Sequence, residues 1–390
     1  MPVAQEGRGA CGTCGGAGAA GIASAAGAVG VASAAGAAGV ASAAGAAKPA
    51  EVPLSAQRRR SRIVIIGLAV LLFVAIIVSL VLGRYPIPPV EAFKMLAAWV
   101  FPIEPSWTYQ METLFFNVRL PRILMSMLVG CCLAAAGAAY QGTFQNPLVS
   151  PDILGASQGA ALGAAIGILM HFGGTGVSIM AFCFSLLSVL LVLLISRRAK
   201  GNHMLVVVLA GVMVSSLFSA GVSYAKLVAD PTNELADITY WLMGSVTGAT
   251  MKQVARVFPI MAVGLIALYA MRWKINVLTM GDDEAATMGV DARRIRLVII
   301  LASTLVTAAS VSVTGMIGWV GLVIPHLSRM LIGCDYRTLL PASMLMGATF
   351  LLIVDDISRL ATAAEIPIGI LTAFIGAPFF LYLITRKRRS

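Results

Sequence analysis

The sequence predicts an all-α polytopic membrane protein with about ten transmembrane helices. Of the 390 residues, 59% are hydrophobic and only 12% are charged, whereas an average soluble domain carries about 25% charged residues. Apolar runs of about 20 residues recur along the chain, and each is long enough to cross roughly 30 Å of hydrocarbon. We place the spans at residues 63–83, 123–140, 152–170, 177–196, 204–229, 254–273, 297–316, 318–333, 339–358 and 367–385.

Basic residues flank the first and last spans, and their position predicts the orientation of the chain. Cytoplasmic segments of membrane proteins carry an excess of Lys and Arg. We therefore place both termini in the cytoplasm, which requires an even number of spans, and attribute the net charge of +11 to topology and not to nucleic-acid binding. The acidic loop after span five is predicted to lie outside. The flanking clusters are Arg58, Arg59, Arg60 and Arg62, then Arg386, Lys387, Arg388 and Arg389.

The first 57 residues are distinct in composition from the ten-span domain at 58–390. Near-copies of the nonapeptide GVASAAGAA run in tandem from residue 21 to residue 47. Segments rich in Ala and Gly have too little side-chain area to form a core. We predict a low-complexity, disordered cytoplasmic tail, with a misplaced start codon as the alternative. Cys11 and Cys14 form one isolated CxxC, which is half a zinc site at best, so no metal site is predicted.

Span three carries a glycine stripe. Gly155, Gly159, Gly163 and Gly167 recur every four residues. Small residues at this spacing allow another helix to approach closely within the membrane. We therefore predict that this stripe is a helix-packing surface and not a substrate path.

Charged residues lie at the outer ends of two spans, where they are costly and therefore informative. Arg119 and Arg122 bracket Pro121 before span two, and Asp355 and Arg359 are four residues apart near the end of span nine. The four-residue spacing predicts a local ion pair on one helical face. Two interpretations stay open for the arginines. They either extend towards the membrane surface, or they form a ring that binds carboxylates of an outside partner.

Two segments on the predicted cytoplasmic side differ from ordinary turns. Gly281 to Val290 reads as a short helix bounded by glycines, with three acids in its first turn, where they complement the helix dipole. We call residues 281–290 the cassette and expect it to dock a cytosolic partner. The loop 141–155 contains two prolines and is either a turn or a gate. The chain has no G-x-x-x-x-G-K-[ST] run, so we predict that it is not itself an ATPase.

Five groups of residues together resemble the FecCD-type permeases. They are RLPRILMSMLVGCCLAAAGAAYQGTFQNPLVSPDILGASQGA, YWLMGS, GDDEAATMGV, GWVGLVIPHLSR, and DxxxR followed by EIPIG and IGAPFF. Such permeases are the membrane subunits of binding-protein-dependent ABC importers for ferric siderophores, haem and cobalamin. The resemblance covers residues 58 to 388 in the order of the family.

The resemblance implies a type II ABC importer architecture and a set of partners. The permease would work as a homodimer in the lipid of the cytoplasmic (inner) membrane, with two cytosolic ABC ATPase subunits and an extracytoplasmic substrate-binding protein. ATP and Mg would be bound by the ATPase, and no cofactor by this chain. A ferric siderophore is the first choice of cargo, with cobalamin or haem behind it.

The resemblance also implies roles for particular residues. Arg119, Arg122 and Arg359 match the arginines that meet glutamates of the binding protein. Asn146 and Leu148 match the cytoplasmic gate. No catalytic residue is expected. The residues that match the ATPase-coupling helix are Gly281, Asp282, Asp283, Glu284, Ala285, Gly289 and Val290.

One segment departs from the family pattern. His203, Met204 and Leu205 stand where the vitamin B12 permease has small hydroxyl residues, which predicts a more apolar second gate ring.

Two other classes of protein are disfavoured. An ion-coupled secondary transporter needs carboxylates near mid-membrane, whereas Asp355 lies near the end of span nine. A membrane receptor without transport function would not need both the cassette and the outer arginines.

Overall fold

The computed structural model describes residues 54–85, 87–98, 101–102, 104–198, 203–362 and 364–385. Throughout these residues the regular structure is helical. The nonapeptide repeats, the CxxC of Cys11 and Cys14, and the terminal basic cluster at 386–389 lie outside the described residues. The predicted division of the chain at residue 57 stays a prediction, and α1 begins at Leu54.

The helices follow one another along the chain with short connections. A five-residue π-helical turn, Phe115–Arg119, joins α3 to α4, and a 3₁₀ turn, Pro151–Leu154, precedes α5. The α-helices are α1 (Leu54–Val81), α2 (Pro89–Ala97), α3 (Tyr109–Leu114), α4 (Leu120–Thr143), α5 (Ala156–Leu169), α6 (Gly174–Arg198), α7 (His203–Val228), α8 (Glu234–Met243), α9 (Met251–Leu278), α10 (Asp282–Thr287), α11 (Ala292–Thr314), α12 (Val320–Ile332), α13 (Tyr336–Leu360) and α14 (Ile368–Thr385).

The prediction of about ten spans is confirmed. Within the described residues, seven helices are long and apolar enough to cross a membrane, and three shorter apolar helices lie at 156–169, 320–332 and 368–382. Each of these ten helices coincides with one predicted span, including the short eighth span that contains Pro325. Sequence analysis did not predict α2, α3 or α8, which lie in the segments between spans.

Helix α4 is the central helix of the bundle, and most of its residues are buried. It can approach its neighbours closely because glycines face glycines at two crossings. Gly130 lies against the backbone of Gly347 in α13, and Gly137 lies against the backbone of Gly321 in α12. Small residues at a helix crossing allow backbones to come into van der Waals contact, which is the main source of helix association in a membrane.

Three glycines of the stripe predicted in span three lie on one packing surface, and the fourth, Gly155, does not. Gly159 and Gly163 lie against the backbone of Phe184 and Met180 in α6, and Gly167 lies against Val177. Gly155 was predicted to share this helical face. It precedes α5 instead and has a φ of 79°, a left-handed conformation that glycine adopts readily. It reverses the chain between the 3₁₀ turn and α5, where it contacts Ser215 and Ser188.

Non-helical segments meet inside the bundle and satisfy one another's backbone groups. α8 ends at Gly244, whose φ is 70°. The amide of Ser245 then donates to the carbonyl of Thr314 at 2.6 Å, and the amide of Gly369 donates to the carbonyl of Gly244 at 3.2 Å. Irregular backbone within a membrane protein needs such internal partners. These contacts join the ends of α8 and α11 to the start of α14.

The crossing of α4 and α12 generates a stability prediction. Gly137→Ala places a methyl group into the backbone of Gly321 and should lower the free energy of unfolding by at least about 2 kcal/mol, because overpacking forces the helices apart. Gly67→Ala is the matched control, since a methyl group there meets no atom within 4 Å and a helical alanine is favoured by about 1 kcal/mol. Unfolding in detergent measures both variants. Equal stability of the two would contradict the tight crossing.

Candidate functional site

The cassette is a short helix between two spans, as predicted. α10 (Asp282–Thr287) carries three acids in its first turn. Gly281 and Gly289 flank it with φ values of 127° and 73°, a region that disfavours residues with a Cβ atom. We call the end of the bundle that carries α10 the cassette end, and the opposite end the distal end.

One face of the cassette is fixed to the bundle. Ala285 and Val290 are buried in a small cluster with Val277 at the end of α9. Arg296 of α11 binds the carboxylate of Asp282 with both terminal nitrogens, at 2.7 and 3.2 Å. The hydrogen bond from Arg296 lowers the pKa of Asp282, so this acid is ionised at neutral pH. These contacts hold α10 against both α9 and α11.

The other face of the cassette is free to meet a partner. Asp283, Glu284 and Gly289 are exposed, as is Met288. Of the seven residues predicted to couple to an ATPase, Ala285 and Val290 are therefore buried against this chain, and Asp282 binds Arg296 while its side chain stays partly exposed. The coupling role itself stays a prediction. The sequence alone could not show which of these seven residues contact the bundle. Arg296, which binds Asp282, lies 14 residues away on the next helix.

The loop after α4 reaches the cassette end. The irregular segment predicted at 141–155 is shorter than expected, since α4 continues to Thr143 and a 3₁₀ turn begins at Pro151. Asn146 accepts a hydrogen bond from the amide of Leu148 at 2.9 Å, which is the turn typical of asparagine. The Leu148 side chain is 55% exposed. This is a suitable position for a gate residue, and the gate role stays a prediction.

A buried ion-pair network lies at the distal end, and Arg122 is its centre. Its guanidinium binds Asp355 of α13 at 2.8 Å and Glu365 at 2.8 Å. Thr247 also donates to Glu365 at 2.7 Å. Arg122 of α4 therefore binds α13 and the non-helical segment of Glu365 directly. Through Glu365 it is also connected to the non-helical segment of Thr247. The sequence did not predict Glu365 or Thr247, because both partners lie more than 100 residues from Arg122.

Arg359 extends the same network on α13. The predicted pairing with Asp355 four residues earlier is confirmed, at 3.5 Å. Arg359 also binds Asp356 and donates to Ser79 of α1 at 2.8 Å. Ser79 in turn donates to Asp356 at 2.7 Å. The hydrogen bonds of Ser79 with Arg359 and Asp356 therefore connect α1 to α13.

Arg119 binds carbonyl oxygens and no carboxylate. Its guanidinium donates to the carbonyls of Leu80 at 2.8 Å and Val81 at 3.1 Å, and also to that of Tyr85. Leu80 and Val81 are the last residues of α1, whose C-terminal carbonyls have no helical partners and attract a cation. Arg119 therefore caps α1.

The three arginines of the predicted ring are mostly buried in this chain. Arg119, Arg122 and Arg359 are only 5%, 4% and 7% exposed. Their charges are bound to acceptors of this chain. The reason is that α1 and α13 pack beside the start of α4 and bring Ser79, Asp355 and Asp356 to them. Their predicted role in docking is not tested by this arrangement.

A cavity of about 890 Å³ lies where α5, α7, α8, α14 and the segment before α12 meet. Its walls include Met243, Met316, Trp319 and Phe374, and most of its surface is apolar. Trp319 has a left-handed backbone, with a φ of 69°, which is uncommon for a bulky residue and is associated with functional sites. The sequence alone did not indicate this cavity, because its walls come from five separate parts of the chain.

The remaining sequence expectations concern cysteines and the start of α7. Cys131 and Cys132 lie in α4 within the bundle. Among the described residues, no group of three His, Cys, Asp or Glu side chains is placed to hold a metal ion. His203 is the first residue of α7, Met204 follows it, and Leu205 is exposed. The predicted gate ring there stays a prediction.

The fold and these sites define a polytopic membrane transport protein. The chain matches the FecCD transport family over residues 71–386, and it therefore belongs to that family. It is 38% identical to the molybdate import system permease protein MolB of Haemophilus influenzae over 84% of this chain and 96% of MolB. It is 37% identical to the cobalamin import system permease protein BtuC of Halobacterium salinarum, over 79% of this chain and 81% of BtuC.

A solved structure has the same fold. It is a metal-chelate type ABC transporter in an inward-facing conformation, with a TM-score of 0.74 and 38% identity, and the match covers 83% of this chain and 99% of that one. The resemblance inferred from the motifs is thus confirmed. This chain is an ABC transporter permease that crosses the membrane several times.

The distal network generates a second stability prediction. Arg122→Gln and Asp355→Asn should each lower the free energy of unfolding by about 3–5 kcal/mol, because each leaves a buried charge without its partner. The double variant should lose about 2 kcal/mol less than the sum of the two. Arg294→Gln, in the exposed pair with Asp291, is the control and should cost less than about 1 kcal/mol. Additive losses in detergent unfolding would contradict the network.

Proposed function

We propose that this chain is the permease subunit of an ABC importer that moves a metal chelate across the cytoplasmic membrane. The observation that carries the proposal is the cassette, which is anchored to two spans by Asp282, Ala285 and Val290 and presents Asp283 and Glu284 to solvent. A partner that moves this surface moves α9 and α11 with it. ATP hydrolysis would supply the movement from a separate ATPase chain, which also holds the Mg ion.

The partners follow from the same arrangement. Two ATPase subunits would dock on the cassettes of a homodimer in the cytoplasm, and a binding protein would deliver cargo at the distal end. The basic residues Arg197, Arg198, Arg293 and Arg294 lie at the cassette end of the spans, which supports a cytoplasmic cassette. Both termini would then lie in the cytoplasm.

A metal chelate is the preferred cargo among those that the relatives' names suggest. Relatives are named for molybdate and for cobalamin, and the solved neighbour is described as a metal-chelate type transporter. A cavity of about 890 Å³ with mostly apolar walls is the size of site that holds organic ligands. We rank a ferric siderophore first, followed by cobalamin and haem.

The coupling proposal is tested by charge reversal on the exposed face of the cassette. Asp283→Lys with Glu284→Lys should abolish ATP-driven uptake, because like charges replace the surface that a partner would contact while Asp282, Ala285 and Val290 keep the anchor. Uptake is measured in proteoliposomes that contain the permease with its ATPase and binding protein. Undiminished uptake would refute the role of the cassette.

Arg337→Glu is the control for that experiment. Arg337 is exposed at the cassette end, in the first turn of α13. Its substitution therefore reverses a charge at the same end of the bundle but outside the cassette. Its uptake should remain within about twofold of the unchanged protein. Each variant is compared at equal amounts of inserted permease, so that a loss of insertion is not read as a loss of coupling.

We also propose that Arg122 is the member of the outer arginines that a binding protein reaches. Its partner Glu365 is partly exposed, whereas Asp355 is fully buried. A carboxylate of the binding protein would take the place of Glu365 on the guanidinium. Arg119 and Arg359 support the position of Arg122 by fixing α1 and α13.

Removing the internal competitor tests this proposal. Glu365→Gln leaves Arg122 with a weaker partner and should tighten binding of the binding protein by about tenfold, equal to 1.4 kcal/mol. The Glu365 side chain is partly exposed, so salt reaches this position and the gain should shrink at high ionic strength. Glu112→Gln is the control on the distal side. Unchanged or weaker affinity for Glu365→Gln in a binding titration would make Arg122 a purely structural residue.

A further inference from the structure

The cavity at the junction of α5, α7, α8, α14 and the segment before α12 contains one acidic or basic side chain. Among the described residues that line it, only Asp152 has an acidic or basic side chain. The other polar side chains on its wall are Ser157, Gln158, Ser215 and the indole of Trp319. No Lys, Arg or His of the described chain belongs to the wall. Asp152 is not among the residues that the family resemblance assigned to a role.

The chain holds Asp152 in a fixed position. It lies in the 3₁₀ turn Pro151–Leu154, whose flanking residues Pro151 and Leu154 are buried while Asp152 is exposed to the cavity. Pro151 packs on Gly321, and the carbonyl of Ile153 lies against Gly211. Ser188 donates to the carbonyl of Gly155 at 2.8 Å. The turn is therefore clamped by α6, α7 and α12, and Asp152 is its most exposed residue.

Burial disfavours the ionised form of Asp152, and two local features oppose this effect. The hydroxyl of Ser157 donates to its carboxylate, and Ser157 lies in the first turn of α5. The N-terminus of a helix attracts negative charge. The starts of α12 and α14 also border the cavity, but their partial positive charges are opposed by the C-terminal end of α8, where Leu242 and Met243 line the wall. The carboxylate is thus the one acidic or basic group on the described wall, and among the described residues only its Oδ1 atom has a hydrogen-bond donor, Ser157.

We propose that Asp152 selects cargo by charge. The cavity accepts a chelate that is neutral or positively charged and that offers an N–H or O–H donor to this carboxylate, and it disfavours an oxyanion. This inference rests on the proposed transport function, because it takes the cavity as part of the path of the cargo. It makes Asp152 a specificity-determining residue, with Ser157 as the residue that positions its carboxylate.

The electrostatic part can be measured without ATP, a binding protein or a known cargo. A single cysteine is introduced at Gln158, or at Ala373 on the α14 wall, in a full-length chain whose six native cysteines are replaced. Two thiol reagents of similar size are compared, trimethylammonium-ethyl methanethiosulfonate and sulfonatoethyl methanethiosulfonate. A nearby carboxylate changes the thiolate fraction equally for both reagents, so the ratio of their rates reports only the effect on reagent charge.

The expected result is a preference for the cationic reagent that depends on Asp152. Asp152→Asn, which keeps the shape of the side chain, should lower the ratio of cationic to anionic rates by at least tenfold. Asp230→Asn removes the same charge from the surface at the distal end and should leave the ratio unchanged. Size-exclusion elution and circular dichroism confirm that each variant is folded.

Three outcomes would overturn the proposal. They are a ratio that Asp152→Asn does not change, a faster reaction of the anionic reagent with Asp152 in place, and no reaction of either reagent at both reporter positions. The last counts against the proposal because a cavity that admits a chelate must admit these smaller molecules. ATP-driven uptake tests the transport function separately, so a normal uptake result with a failed charge test rejects only the role of Asp152.

Discussion

The close approach of α4 to α12 and α13 is the constraint on which the other sites depend. Glycine meets glycine at both crossings, at Gly130 with Gly347 and at Gly137 with Gly321. Lipid is as apolar as the helix surfaces, so helices in a membrane associate through such close packing and through hydrogen bonds between them. α4 then carries Arg122 at one end and the loop of Asn146 and Leu148 at the other. A shift of α4 would displace both.

The distal network explains how several charges can be buried in a mostly apolar bundle. Arg122, Arg359, Asp355 and Asp356 would each be costly alone, but each has a partner of opposite charge within the network. A buried pair of this kind contributes little net stability, because desolvation offsets attraction, yet removal of one member is expensive. The network therefore fixes a single arrangement of α1, α4 and α13. Glu365 is the most exposed carboxylate of this network.

The sequence predicted most of the fold but less of the sites, and particular residues show why. Apolar length alone located all ten spans, and the spacing of Asp355 and Arg359 predicted their pairing. The prediction of a helical glycine stripe was wrong at Gly155, because the left-handed backbone of this residue depends on the turn before α5. The burial of Arg119 and the partners of Arg122 depend on residues tens to hundreds of positions away, and local spacing carries no information about them. The cavity around Asp152 was missed for the same reason.

The cassette and the loop of Asn146 are joined by the end of α9. Gln145, which has a φ of 49°, donates from its side-chain amide to the carbonyl of Leu278 at 2.7 Å, and Leu278 is the last residue of α9 before the cassette. Asn276, two residues earlier, binds Asp335 and accepts a hydrogen bond from the amide of Tyr336 at the start of α13. A movement of the cassette therefore acts on the loop after α4 and on α13 through hydrogen bonds of a few ångströms. Because α4 and α13 also carry the distal network, the same two helices connect the surface proposed for the ATPase with the surface proposed for the binding protein.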